Sequence, residues 1–255
     1  MLTNALVCAT MVKNLQGSEK MIGRTDRLCF LGDSITEGVA TDKRYIDYIA
    51  EETGAQTHGF GVNGATSCGL FAQLEKMRKE VGDGFDVLFV CIGTNDFNEG
   101  VPLGEFFTEH AENVVCEYDA KNQPVHYAVR KKREFVFGAE TFKGRLNRFF
   151  AQIKNDYPDK RIILLTPLHR AYAFFGGDNV QPDELYANRI GVYFEEYVEA
   201  IRKAADIWAV ELIDLYRESG LLPINEKHAE LYFNNKAAIL CTPPRRGIGG
   251  LRRRF

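Results

Sequence analysis

The chain has 255 residues, 45% of them hydrophobic, with a formal net charge of -3. That is enough apolar material for one substantial core, so residues 1–255 are expected to form a single domain. The charge balance leaves no basic footprint for nucleic acid or an anionic membrane surface, although five of the last eleven residues are arginine.

At the N-terminus, MLTNALVCATMVKNLQ carries a short apolar patch without a basic start or a cleavage site. No signal peptide is expected, no run is long enough to span a bilayer, and a cytoplasmic location follows. The first buried strand is predicted at Leu28–Leu31, followed by a helix at Tyr45–Glu52 and a short strand at Gln56–Phe60. A helix at Leu70–Val81 then leads to a strand at Val87–Ile92. Residues 97–141 break the rhythm as a long excursion beside the site, with a hairpin at Val125–Phe137. Its basic cluster, Arg130–Arg133, reads as a solvated face. A helix at Phe142–Tyr157, a strand at Ile162–Thr166, a helix at Ala187–Ala205 and a strand at Ile207–Ile213 complete the pattern. The apolar runs lack strict alternation, as strands covered on both faces do. Strands alternating with amphipathic helices imply parallel pairing and a doubly wound, flavodoxin-like α/β sheet. Six cysteines, at positions 8, 29, 68, 91, 116 and 241, form no CxxC pair and no zinc spacing. Reduced thiols, no metal and no cofactor are expected, with Cys29 and Cys91 as small buried hydrophobes.

In a sheet of this kind the ligand site lies beyond the carboxyl ends of the strands. The loops there read GDSITEG, GVNGATS, GTNDFN and TPLHR in chain order. Ser34, where a strand gives way to a helix, is placed as a nucleophile beside free helix amides; its bland alternative is an N-cap. Asn95 ends a second buried strand, where its side-chain amide is a donor for a developing negative charge. Gly64 offers a backbone donor and close approach, which together make an oxyanion hole.

These blocks resemble the SGNH or GDSL hydrolases from about Arg27 to Phe233: GDSITEG matches the nucleophile block, GVNGATS the glycine block and GTNDFN the asparagine block. The resemblance implies a mostly parallel five-stranded sheet and ester hydrolysis through an acyl-serine. Ser34 is then nucleophile and first donor, with Gly64 and Asn95 completing the hole. The expected partner is a small-molecule or carbohydrate ester bearing an acetyl or short acyl group, with Asp33, Asp96 and His169 in contact with it. Gly59, Gly61 and Gly64 also spell GxGxxG, but after the second strand rather than the first, which argues against a dinucleotide site.

A serine hydroxyl needs a base to take its proton. The family supplies a histidine three residues after an aspartate, in a D-x-L-H-P block near the C-terminus. Here His58, His110, His126, His169 and His228 follow Ala55, Phe107, Gln123, Thr166 and Asn225 at that spacing, so none fits. His228 is nearest to the expected place, yet upstream of it. After Phe233 the sequence runs NNKAAILCTPPRRGIGGLRRRF. Regrouping its codons by one frame permits Asp at Ala238/Ile239, Leu at Leu240/Cys241, His at Cys241/Thr242 and Pro at Thr242/Pro243, then Gly and His at Arg246/Gly247 and Gly247/Ile248. That is compatible with D-x-L-H-P-x-x-x-G-H. Residues 234–255 are therefore read as a non-native tail left by a frameshift in the gene or its assembly, so the chain as it stands is expected to be impaired. The alternative of another class is a non-catalytic protein that binds an acylated ligand in the same cleft.

Overall fold

In the computed structural model, which describes residues 2–16, 22–39, 41–177 and 179–232, the chain opens with helix α1 (Leu2–Gln16) and strand β1 (Arg27–Gly32). Helices α2 (Ser34–Glu37) and α3 (Tyr45–Thr53) follow, then β2 (Gln56–Gly59), α4 (Leu70–Glu80), β3 (Val87–Cys91) and α5 (Thr94–Asn98). Strands β4 (Phe107–Tyr118) and β5 (Pro124–Phe135) precede α6 (Phe142–Asp156) and β6 (Arg161–Leu165). Short strands β7 (Ala173–Phe174) and β8 (Val180–Gln181) lead to α7 (Phe194–Trp208), β9 (Glu211–Ile213), α8 (Leu215–Glu218) and α9 (Glu226–Tyr232).

The central sheet has the order β2-β1-β3-β6-β9, with every pairing parallel. Alternate residues of the same strands feed two cores, because side chains of a strand point to opposite faces. On one face Cys29, Leu31, Leu88, Val90, Ile162 and Leu164 pack with α4, α6 and α7. Leu28, Phe30, Phe89, Ile163 and Leu165 face the other way, toward α1 and α3. Phe30 stacks on Phe89 with ring centroids 4.5 Å apart across the β1–β3 ladder. Both faces are thus covered, which is why the strands read as continuous apolar runs. Cys29 and Cys91 are buried in these layers, and burial pushes the Cys29 thiol up to about 12 and Cys91 well above its ordinary value.

The sequence pattern differs from the structure in four places. The apolar patch at the N-terminus is a full helix, α1, that buries Val7, Cys8, Met11 and Leu15 against the sheet. The last long helix starts at Phe194 rather than Ala187: the Asn188 side chain accepts from the amides of Ile190 and Val192 and closes a turn there. Ile207 and Trp208 finish that helix, so the last strand begins only at Glu211. The hairpin within residues 97–141 is much longer than Val125–Phe137, because β4 supplies a twelve-residue partner to the twelve residues of β5. This arm is exposed on both sides along nearly its whole length. Its basic cluster lies in solvent, where Arg133 and Lys132 pair across the ladder with Glu109 and Glu112. Among the described residues no helix is long and apolar enough to cross a membrane.

Candidate active site

The strand order reverses between β1 and β3, so the crevice of the sheet opens beyond their carboxyl ends. Ser34 follows β1 directly and Asn95 stands in α5 just past β3. Asp33 is the N-cap of α2, its Oδ1 accepting the Ile35 amide at 3.0 Å. Ser34 is therefore the first helical residue and not the cap, and neither its hydroxyl nor its amide has a hydrogen-bond partner among the described residues. A helix-starting serine free of capping duty keeps both groups for a ligand.

The glycine loop is pinned to this serine and to α5. The Val62 amide donates to the Gly32 carbonyl at 3.1 Å, and Asn95 Nδ2 donates to the Ala65 carbonyl at 3.0 Å. At Gly61 a Cβ would lie 2.6 Å from the Glu37 amide nitrogen and 2.8 Å from the Asp33 carbonyl oxygen, so only glycine permits this approach to α2. Gly64 has φ of +74° and open space where a side chain would project. Its amide has no backbone partner, so it is available as a donor. Asn95 uses one of its two amide hydrogens on Ala65 and retains the other.

Two buried carboxyl groups brace these loops. Asp96 is fully buried and accepts from the Ser67 amide at 2.9 Å and hydroxyl at 2.6 Å, with Arg145 Nη1 at 3.3 Å. Burial raises its pKa against the pull of those donors. Burial likewise pushes Asp33 up to about 6, despite the bond from Ile35. At 1% and 0% exposure, neither side chain presents a surface to a substrate; they hold α2 and the glycine loop instead. Gln73 was not singled out by the sequence, yet it makes paired bonds of 2.8 Å to the amide and carbonyl of Gly32 and fixes the end of β1.

His169 lies in the loop after β6, with Nδ1 2.6 Å from Glu184 Oε1 and its ring stacked 3.6 Å from that of Tyr216. Glu184, 15 residues further on, carries no local sequence signal. A histidine oriented by a carboxylate has the form of a base pair, but β6 is two strands from β1, a separation of about 10 Å at ordinary strand spacing. The His169 ring bonds to Glu184 and not to Ser34. His228 lies in α9 with Nδ1 buried and unbonded, its ring edge-on to Tyr232 at 5.6 Å. Among the described residues no histidine bonds to Ser34, and the regrouped D-x-L-H-P segment lies outside them. Among the same residues no cluster of His, Cys, Asp and Glu could hold a metal ion.

A parallel sheet of this order, with a free serine after its first strand and a glycine loop and an asparagine brought beside it, defines an α/β protein of the hydrolase type. The chain belongs to the GDSL-like lipase/acylhydrolase family, a family of ester-hydrolysing proteins whose model matches residues 30–236. Among solved structures it is similar to a protein from Lactobacillus plantarum, at 19% identity and TM-score 0.58, covering 81% of this chain and 85% of that one. It is also similar to a possible lipase from Chitinophaga pinensis, at 22% identity and TM-score 0.55, covering 75% and 68%. These likenesses concern the fold. No curated protein sequence matches.

Proposed function

We propose that the chain is built as a serine esterase that cleaves a carboxylic ester through an acyl-serine intermediate, on an acetyl or short-acyl ester of a carbohydrate or other small molecule. The observation that carries this reading is Ser34 at the switch point of the sheet, relieved of capping by Asp33 and left with a free hydroxyl and amide. In the reaction Ser34 Oγ attacks the ester carbonyl while its proton passes to a base, and the carbonyl oxygen becomes an oxyanion. The amides of Ser34 and Gly64 and the spare hydrogen of Asn95 Nδ2 face that charge. Each such donor is worth about 3 kcal/mol of transition-state stabilisation. Collapse expels the alcohol, which takes the proton, and water then releases the acid by the same steps in reverse. Asp33 and Asp96 serve as positioning residues, and His169 as a substrate contact.

Among the described residues no histidine bonds to Ser34, and on this reading the base is the missing part. Loss of a triad histidine leaves oxyanion stabilisation and binding, with rates on the order of a thousandfold to a millionfold lower. Hydrolysis of 4-nitrophenyl acetate is expected to be slow and to disappear in Ser34→Ala. Full enzymatic rates abolished by Ser34→Ala would mean that another base serves, and His228→Ala and His169→Ala would then identify it. The second reading, a protein that binds an acylated ligand without cleaving it, is favoured by the absence of any Ser34–His bond among the described residues. Ligand binding that survives Ser34→Ala, with no turnover even after an Asp-His tail is supplied, would support it.

A further inference from the structure

Residues 97–98 of α5 and 179–189 of the loop before α7 enclose a cavity of about 380 Å³, lined by Phe97, Asn98, Gln181, Tyr186 and Arg189 among others, with no Asp or Glu in its wall. Behind it lies Arg170. Its guanidinium donates from Nη1 to Asn98 Oδ1 and from Nη2 to Gln181 Oε1 at 3.3 Å, so both acceptors are neutral amides of the cavity wall. It also stacks 4.9 Å from the Phe97 ring centroid and 5.5 Å from that of Phe194. Its Nε is buried with no partner, and among the described residues no carboxylate lies within ion-pair range. Glu184, the nearest acidic influence, spends its two oxygens on His169 and the Arg170 amide. Arg189 donates Nε to the Glu99 carbonyl at 2.7 Å and likewise has no carboxylate partner.

A half-buried cation whose hydrogen bonds go to neutral amides, with Glu184 and Asp183 acting on it only from beyond ion-pair range, is incompletely compensated, and burial pulls Arg170 down to about 10. Proteins seldom keep such a charge without an anion to meet it. With the oxygens of both amides turned to Arg170, Gln181 Nε2 donates one hydrogen to Asn179 Oδ1 at 3.3 Å, and Asn98 Nδ2 donates to Gln181 Oε1 at 3.3 Å and to Asn95 Oδ1 at 3.5 Å. That last contact ties the cavity to the oxyanion asparagine. Its volume is that of a small organic molecule rather than a bare inorganic ion.

We infer that this cavity is a carboxylate-binding subsite beside Asn95, and that the ester taken by the protein bears a free carboxylate in the part that enters it, as a sugar acid or a dicarboxylic half-ester does. Arg189 in the wall and Arg170 next to it supply the charge, and the remaining amide hydrogen of Gln181 orients the group. The statement about the ester rests on the esterase reading above; the binding of carboxylates does not.

The test is calorimetric titration of the whole chain, and of its Ser34→Ala form, with glucuronate against glucose and with succinate against succinamide at constant ionic strength. The acids are expected to bind at least about tenfold more tightly than their uncharged counterparts, as charge-assisted bonds to guanidinium imply. Arg189→Gln, at a solvent-facing position, is expected to weaken the acids about fivefold and to leave the uncharged ligands unchanged. Arg170→Gln, checked for native circular dichroism, should weaken them further. Equal affinity of acid and uncharged forms, no effect of either variant, or no acid binding up to about 50 mM would each overturn the subsite. None of these outcomes depends on turnover, so loss of the esterase reading through an inactive, tail-restored chain would be seen separately.

Discussion

The carboxyl group of Asp33 is 1% exposed yet accepts the Ile35 amide, so two opposed effects act on its proton. Burial dominates and raises its pKa from 3.8 to about 6. The folded value lies above the unfolded one, so folding favours the protonated form. The stability this contributes is complete below pH 3.8 and is lost as pH rises through about 6. Asp33→Asn keeps the acceptor for Ile35 and removes the titration. Between about pH 4 and pH 7 the wild type should lose up to about 3 kcal/mol relative to the variant in urea unfolding. Parallel profiles would show that Asp33 does not titrate in this range. At this scale the sequence named Ser34, Gly64 and Asn95 because short polar loops after apolar runs mark strand ends. The burial of Asp33 and Asp96 was not legible, since a carboxylate next to a serine and one locked on Ser67 look alike in a string of letters. Gln73 and Glu184 gave no signal at all, because each meets its partner across a distance in the chain that no local pattern reports.

Helix α1 illustrates what a weak pattern hides. Its buried stripe, Val7, Cys8, Met11 and Leu15, has helical spacing, but the exposed side carries Ala9, Lys13 and Gln16, with a single charge among them, so the contrast that marks an amphipathic helix is faint. Met11 is fully buried, and Met11→Ala should cost about 2–5 kcal/mol in unfolding free energy. A loss below about 0.5 kcal/mol would mean that α1 does not cover this face. The β4–β5 arm is the converse case, legible only as a long excursion. Its length comes from cross-strand pairing, and its side chains lack the alternation of a half-buried strand because neither face is buried. It is anchored at its root, where buried Asn147 donates to the carbonyls of Phe106 at 2.8 Å and Val136 at 2.9 Å and accepts from Trp208 at 3.0 Å. Asn147→Ala leaves these groups unsatisfied and should cost about 1–3 kcal/mol. Replacing residues 111–131 by a short turn should leave the melting temperature within a few degrees, because that part of the arm packs only on itself. A large drop would show that the outer arm supports the body.

Over the whole molecule, the alternation of apolar runs and amphipathic helices was sufficient to predict a parallel sheet, and the order β2-β1-β3-β6-β9 then follows a rule that puts ligands where the order reverses. Ser34 and Asn95 flank that point, and the glycine loop is pinned to both of its sides. Among the described residues no histidine bonds to Ser34: His169 pairs with Glu184, and the other histidines lie on the arm, on β2 and on α9. The central claim is therefore that the chain carries a complete oxyanion site without its base. It is tested by the rate of 4-nitrophenyl acetate hydrolysis before and after residues 234–255 are replaced by the sequence of the shifted frame, with its D-x-L-H-P block. The account predicts a rise of at least about a thousandfold in kcat/KM, abolished by Ser34→Ala. An unchanged rate after replacement, or full enzymatic turnover before it, would contradict the account.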